Sequence, residues 1–104
     1  MINLDASKFA EKIAEGDVVV LDVRTPEEFN SGHIPSAINI DIYSDYFRSD
    51  ISALDKSKSY AVYCRSGKRS VDAASEMDLI GFESTFNLTG GIIEWADSGR
   101  TTVN

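Results

Sequence analysis

At 104 residues, with 42% apolar and 26% charged side chains, the chain has the composition of one folded domain spanning residues 1–104 and excludes a disordered or collagen-like polymer. A chain of this size buries about 65% of its unfolded surface and folds without disulfide or metal staples. Its 10 basic and 17 acidic residues leave a net charge of −7, which argues against nucleic acid as the main partner because phosphate binding requires a basic face.

The single cysteine, Cys64, and the single histidine, His33, build neither an intramolecular disulfide nor a recognised cluster of metal ligands, so no metal is expected. No run approaches the roughly 18 apolar residues of a membrane span, and the first residues lack a basic region followed by an apolar one. The expectation is therefore no membrane partner and a cytoplasmic location.

In chain order, Met1–Leu4 reads as a short edge strand. Asp5 reads as the N-cap of a helix running to Glu15, with Phe9 and Ile13 on one face and Gly16 as its stop. Val18–Leu21 is a continuous apolar run, the pattern of a parallel strand covered on both faces. It ends at Asp22-Val23-Arg24. Thr25-Pro26-Glu27-Glu28 then has the form of a capping box, with Thr as N-cap, Pro at the first helical position and Glu at the third. Gly32 closes that helix, and Ala37–Ile40 forms a third strand.

Between Asp41 and Lys58, the spacing of Tyr43, Tyr46, Phe47, Ile51 and Leu54 predicts one or two short helices. Tyr60–Tyr63 is a buried strand, Val71–Ile80 a helix stopped by Gly81, and Ser84–Leu88 the last strand. Gly90-Gly91 reads as a turn and Ile92–Ala96 as a terminal helical turn. Alternating strand and helix signals select an α/β fold with a mostly parallel sheet.

Cys64 follows the Tyr60–Tyr63 strand directly and precedes a helix. In an open parallel sheet that turn lies at the carboxyl edge of the strands, where such sheets bind ligands. A thiol works as its thiolate, whose pKa falls beside a helix N-terminus or cations. Gly67 permits a backbone that turns successive amides inward as an anion nest. Arg65, Lys68 and Arg69 place three of the ten basic residues within six positions of Cys64 in an otherwise acidic chain. Lys68 and Arg69 oppose the helix macrodipole by about 0.3–1 kcal/mol each, a cost that a bound anion offsets.

Four ordered segments resemble the rhodanese-like family over nearly the whole chain: Leu21–Phe29, Gly32–Ile40, Cys64–Ser70 and Leu88–Trp95. The resemblance implies a rhodanese-like α/β three-layer fold, with a mostly parallel five-stranded sheet flanked by helices. It also implies sulfurtransferase activity. Cys64 would accept sulfane sulfur as a persulfide from a small anionic sulfur donor such as thiosulfate, or from a protein persulfide donor, and pass it to a thiol or cyanide acceptor. Such chemistry needs no metal and no organic cofactor.

Ser66, Gly67, Lys68, Arg69 and Arg65 would supply loop amides. The side chains of Arg65 and Lys68 would meet the substrate, while Arg69 braces the loop. Asp22 and Arg24, at the same sheet edge, are expected as a supporting, hydrogen-bonded pair. The resemblance places His33 in a turn away from the sulfur, and Trp95 is expected as a packing anchor. Two-domain, thiosulfate-using members carry arginine where this chain has Glu28, which leaves the donor open.

Two rival readings share these residues. A cysteine phosphatase or arsenate reductase has a similar loop but carries arginine six positions after the cysteine, where this chain has Ser70. A non-catalytic rhodanese-like interaction or regulatory module fits the fold, although retention of Cys64 and its cationic loop argues against it.

Overall fold

Strand and helix alternate strictly along the chain, and the computed structural model describes residues 1–104. The elements are β1 (Ile2–Leu4), α1 (Ala6–Ile13), β2 (Val18–Asp22), α2 (Pro26–Asn30), β3 (Ile38–Asn39), α3 (Phe47–Ser52), β4 (Ser59–Tyr63), α4 (Lys68–Leu79), β5 (Ser84–Leu88) and α5 (Gly91–Asp97). All five strands are parallel, in the order β1-β5-β4-β2-β3, with β4 at the centre. No helix is long and apolar enough to cross a membrane.

Strands β2 and β4 divide their side chains between two cores, because successive residues point to opposite faces. Tyr60, Val62 and Cys64 join Leu21 and Val23 against Phe47 and Ile51 of α3 and Ala73, Ala74 and Met77 of α4. Ala61 and Tyr63 join Val20 and Leu88 on the other face, against Ala6 and Phe9 of α1 and Trp95 of α5. Helices thus cover both faces, and β4, buried from Tyr60 onward, carries Cys64 to the carboxyl edge.

Several boundaries differ from expectation. Helix α1 ends at Ile13 instead of Glu15. Strand β3 contracts from Ala37–Ile40 to Ile38–Asn39, and Asn39 donates its amide nitrogen to the carbonyls of Asp22 and Arg24, at 3.0 and 2.9 Å. Only α3 forms between Asp41 and Lys58. Helix α4 starts at Lys68, three residues before the expected Val71, and the Gly90-Gly91 turn is the beginning of α5.

Asp22 and Arg24 close β2 with a buried ion pair, 0% and 5% exposed. Arg24 Nη2 lies 2.7 Å from Asp22 Oδ2, Nε reaches both carboxylate oxygens at 3.1 Å, and the Arg24 amide also donates to Asp22. A second bond from Nη2, to the Gly32 carbonyl at 2.7 Å, ties β2 to the end of α2. Burial pulls the Arg24 pKa down, but bonding to Asp22 and its charge outweigh it and leave the guanidinium more basic than usual. Replacing one member strands a buried charge. Arg24→Met is therefore expected to lose about 3–5 kcal/mol of unfolding free energy in urea titration, and a loss below about 1 kcal/mol would contradict this pairing.

Candidate active site

Cys64 is the first residue past β4, 1% exposed, and its sulfur is enclosed by the turn that leads into α4. Three donors meet the sulfur: the Gly67 amide at 3.1 Å, the Ser70 amide at 3.4 Å and the Ser70 hydroxyl at 3.4 Å. Gly67 is the N-cap of α4 and has no side chain to satisfy the helix's first amides. Cys64 Sγ takes that place and accepts from the third residue of the helix, as a serine or aspartate oxygen does at an ordinary N-cap.

At the start of the loop, α5 holds two carbonyls and so orients the Arg65 and Ser66 amides of the same peptides. Ile92 and Ile93, in the first turn of α5, donate to the carbonyls of Cys64 and Arg65 at 3.0 and 3.2 Å. The approach is so close that a Cβ on Gly91 would lie 2.1 Å from the Arg65 oxygen. Gly67 is pressed equally hard on the other side: its φ is +100°, and a Cβ there would lie 2.0 Å from the Thr89 oxygen. Both positions require glycine for space as well as conformation.

Burial pushes the Cys64 thiol pKa up, but hydrogen bonds from the Ser70 hydroxyl and from the amides of Ser70, Gly67 and Ser66 outweigh it and bring the thiol below its ordinary value. The loop therefore favours the thiolate of its cysteine relative to an ordinary thiol, the direction a nucleophilic sulfur requires.

The three cations divide into two kinds. Arg65 and Lys68 are exposed, as is Ser66. Arg69 instead makes a two-pronged bond to Glu28, at 2.8 and 2.9 Å, with the ring of Tyr43 5.5 Å away. Glu28 is itself held by the capping box of α2, accepting from the Thr25 amide and hydroxyl at 3.1 Å each. Bonding to Arg69, joined by the Thr25 amide, overcomes partial burial and depresses the Glu28 carboxyl to about 2. The pair's contribution to stability is complete above the ordinary carboxyl range and fades as pH falls toward 2.

Among the other expected residues, Asp22 and Arg24 bond to each other and to Gly32, not to the loop. His33 stacks on Phe29 with ring centres 3.8 Å apart, and its Nδ1 donates to the Phe29 carbonyl at 3.0 Å. Trp95 packs edge-on to Phe9 at 6.2 Å and donates to Thr101. A surface cavity of about 400 Å³ lies at the opposite, amino edge of the sheet, between Gly16–Val19 and Ser57–Ser59. Cavity and sulfur thus occupy different edges, and the sulfur's surroundings are those that bear on chemistry.

Sequence reasoning missed Ser70 and Gly91. The sequence marks Ser70 as the end of the Cys64–Ser70 segment without a role for its hydroxyl, and its place at the third position of α4 is visible only once the helix begins at Lys68. The signal for Gly91 was a second glycine ahead of an apolar helical turn.

Residues 5–98 match the sequence profile of the Rhodanese-like domain. The chain belongs to the rhodanese-like family. This rhodanese-like domain is 36% identical to a protein named sulfurtransferase from Allochromatium vinosum, with 99% of this chain and 96% of that one aligned. It also aligns over 93% of its length with 29% of the tRNA uridine(34) hydroxylase of Yersinia enterocolitica, at 34% identity. Among solved structures, a rhodanese-related protein from Thermoplasma volcanium superposes with a TM-score of 0.86 at 33% identity, over 99% of this chain and 98% of the other. End-to-end coverage distinguishes the sulfurtransferase likeness from the hydroxylase, a much longer protein.

Gly91→Ala is expected to push α5 off the loop and loosen the amide cradle. Alkylation of Cys64 by iodoacetamide, followed against pH, should then show its midpoint move upward relative to wild type, with stability reduced by about 1–3 kcal/mol. An unmoved midpoint would mean that α5 does not hold the loop amides in place.

Proposed function

We propose that this protein is a sulfurtransferase that carries sulfane sulfur as a persulfide on Cys64. The observation behind this reading is the Cys64 sulfur itself, a buried thiol at the end of the central strand that accepts three hydrogen bonds from its own loop. The thiolate attacks the outer sulfur of the donor. The bond from that sulfur to the rest of the donor breaks, and sulfite leaves if the donor is thiosulfate, or a thiolate if it is a persulfide. Cys64–S–S⁻ remains. An incoming thiolate or cyanide then takes the terminal sulfur and returns Cys64 to its thiolate.

The cradle suits both halves of this cycle. Amides of Ser66, Gly67 and the first turn of α4 are fixed dipoles that stabilise anionic sulfur without reorganising. Arg65 and Lys68, exposed at the mouth of the loop, attract an anionic donor, whereas Arg69 shapes the loop through Glu28 and has its charge already matched. The engagement of Arg69 by Glu28 leaves two exposed cations for the donor, an arrangement that suits thiosulfate or a persulfide anion. The same engagement weighs against a phosphatase, whose phosphoryl group would need a free guanidinium in the loop.

Thiocyanate formation from cyanide, with thiosulfate and separately with glutathione persulfide as donor, tests the reading. Wild type should turn over at least one donor, and Cys64→Ser should abolish turnover. Lys68→Ala should lower kcat/KM for thiosulfate about two- to fivefold at low ionic strength, with the difference closing at high salt. Absence of turnover with both donors would overturn the enzyme reading in favour of an interaction module, and Cys64-dependent hydrolysis of an aryl phosphate would favour a phosphatase.

A further inference from the structure

Ser70 is fully buried, and its Oγ lies 3.4 Å from Cys64 Sγ and 3.2 Å from the carbonyl oxygen of Gly67. A serine hydroxyl carries one proton, so it donates to one of these acceptors at a time. The Gly67 carbonyl does not depend on it, because the Val71 amide also donates there at 3.3 Å. The sulfur likewise keeps the amides of Gly67 and Ser70 in either case. Rotation of the hydroxyl therefore strands no buried polar group. Among charged side chains, Arg69 acts on the sulfur through space but is bound to Glu28, and Arg65 and Lys68 are the exposed cations of the same loop.

Building on the sulfurtransferase reading, we propose that the Ser70 hydroxyl is a two-position donor that follows negative charge on Cys64 Sγ through the catalytic cycle. In the free thiolate the charge sits on Sγ, and the hydroxyl donates to it. After loading, the charge of Cys64–Sγ–S⁻ lies on the terminal sulfur and Sγ is neutral and two-coordinate, so the hydroxyl turns to the Gly67 carbonyl. When the acceptor attacks the terminal sulfur, a new bond forms there and the Sγ–S bond breaks with its electron pair returning to Sγ. The hydroxyl turns back to receive that charge. Ser70 keeps its proton throughout, and no external oxidant or reductant is consumed.

The two half-reactions should respond unequally to loss of the hydroxyl. A less acidic Cys64 is intrinsically more nucleophilic per thiolate but a poorer leaving group. Loading per thiolate should be maintained while discharge slows. Loss of packing alone would not separate the two rates in this way.

Ser70→Ala removes only the hydroxyl, and Ser70→Thr keeps one. Thiolate titration by ultraviolet absorbance should show the Cys64 midpoint rise by about one pH unit in Ser70→Ala and stay near wild type in Ser70→Thr. In single-turnover experiments followed by mass, Cys64 persulfide loaded from thiosulfate or glutathione persulfide should discharge to cyanide about three- to tenfold more slowly in Ser70→Ala, with loading per thiolate not reduced. An unchanged midpoint, or equal slowing of loading and discharge, would overturn the proposal. If wild type loads no persulfide from either donor, the sulfurtransferase reading fails instead, a result separate from the titration.

Discussion

The site depends on how the first turn of α5 meets the loop after β4. By accepting the Ile92 and Ile93 amides, the carbonyls of Cys64 and Arg65 are fixed outward, and a peptide whose carbonyl points out presents its N–H on the opposite side. The amides of those two peptides, Arg65 and Ser66, are thereby set before any substrate arrives, and the Ser66 amide acts on the sulfur. The Gly67 and Ser70 amides, which lie nearest to it, are placed by the left-handed turn at Gly67 and the start of α4. Sequence elements far apart enforce this: Gly67 against the Thr89 carbonyl and Gly91 against the Arg65 carbonyl leave no room for a side chain. Helix α5 is thus part of the wall around the sulfur.

Around that loop the carboxyl edge is braced by charge. Asp22 and Arg24 hold the end of β2 to the end of α2, and Glu28 of α2 holds Arg69 of α4. Tyr63, one residue before Cys64, takes part as well: its hydroxyl accepts from the Ile34 amide at 3.0 Å, and burial keeps it a neutral phenol. Buried ion pairs of this kind add little net stability over apolar packing. Their effect here is positional, since they set β2, α2 and α4 at fixed places around one sulfur.

Much of this was legible in the sequence, for reasons that are local. The uninterrupted Val18–Leu21 and Tyr60–Tyr63 runs mark strands covered on both faces, and the capping box at Thr25–Glu28 marks its own helix. Cys64 stood out because an apolar strand stops at it beside a glycine and three cations. What could not be read is what depends on contacts across the fold. The partner of Arg69 is 41 residues away in sequence, so whether its charge faces substrate or Glu28 has no local signature. The early start of α4 was hidden because its cap is the Cys64 sulfur, whereas propensity rules look for an oxygen at Gly67. The bonds of Asn39 to two carbonyls of the Asp22–Arg24 corner likewise span 15 to 17 residues and have no local signature.

Cys64 is the single point at which fold, electrostatics and proposed chemistry coincide, so the most direct test is to ask whether it carries sulfur. Intact mass would be measured for wild type and Cys64→Ser after exposure to thiosulfate or glutathione persulfide, and again after cyanide. A gain of one sulfur atom on wild type, removed by cyanide and missing from Cys64→Ser, is the predicted result. No gain on wild type, or an equal gain on both proteins, would contradict a persulfide held in this cradle.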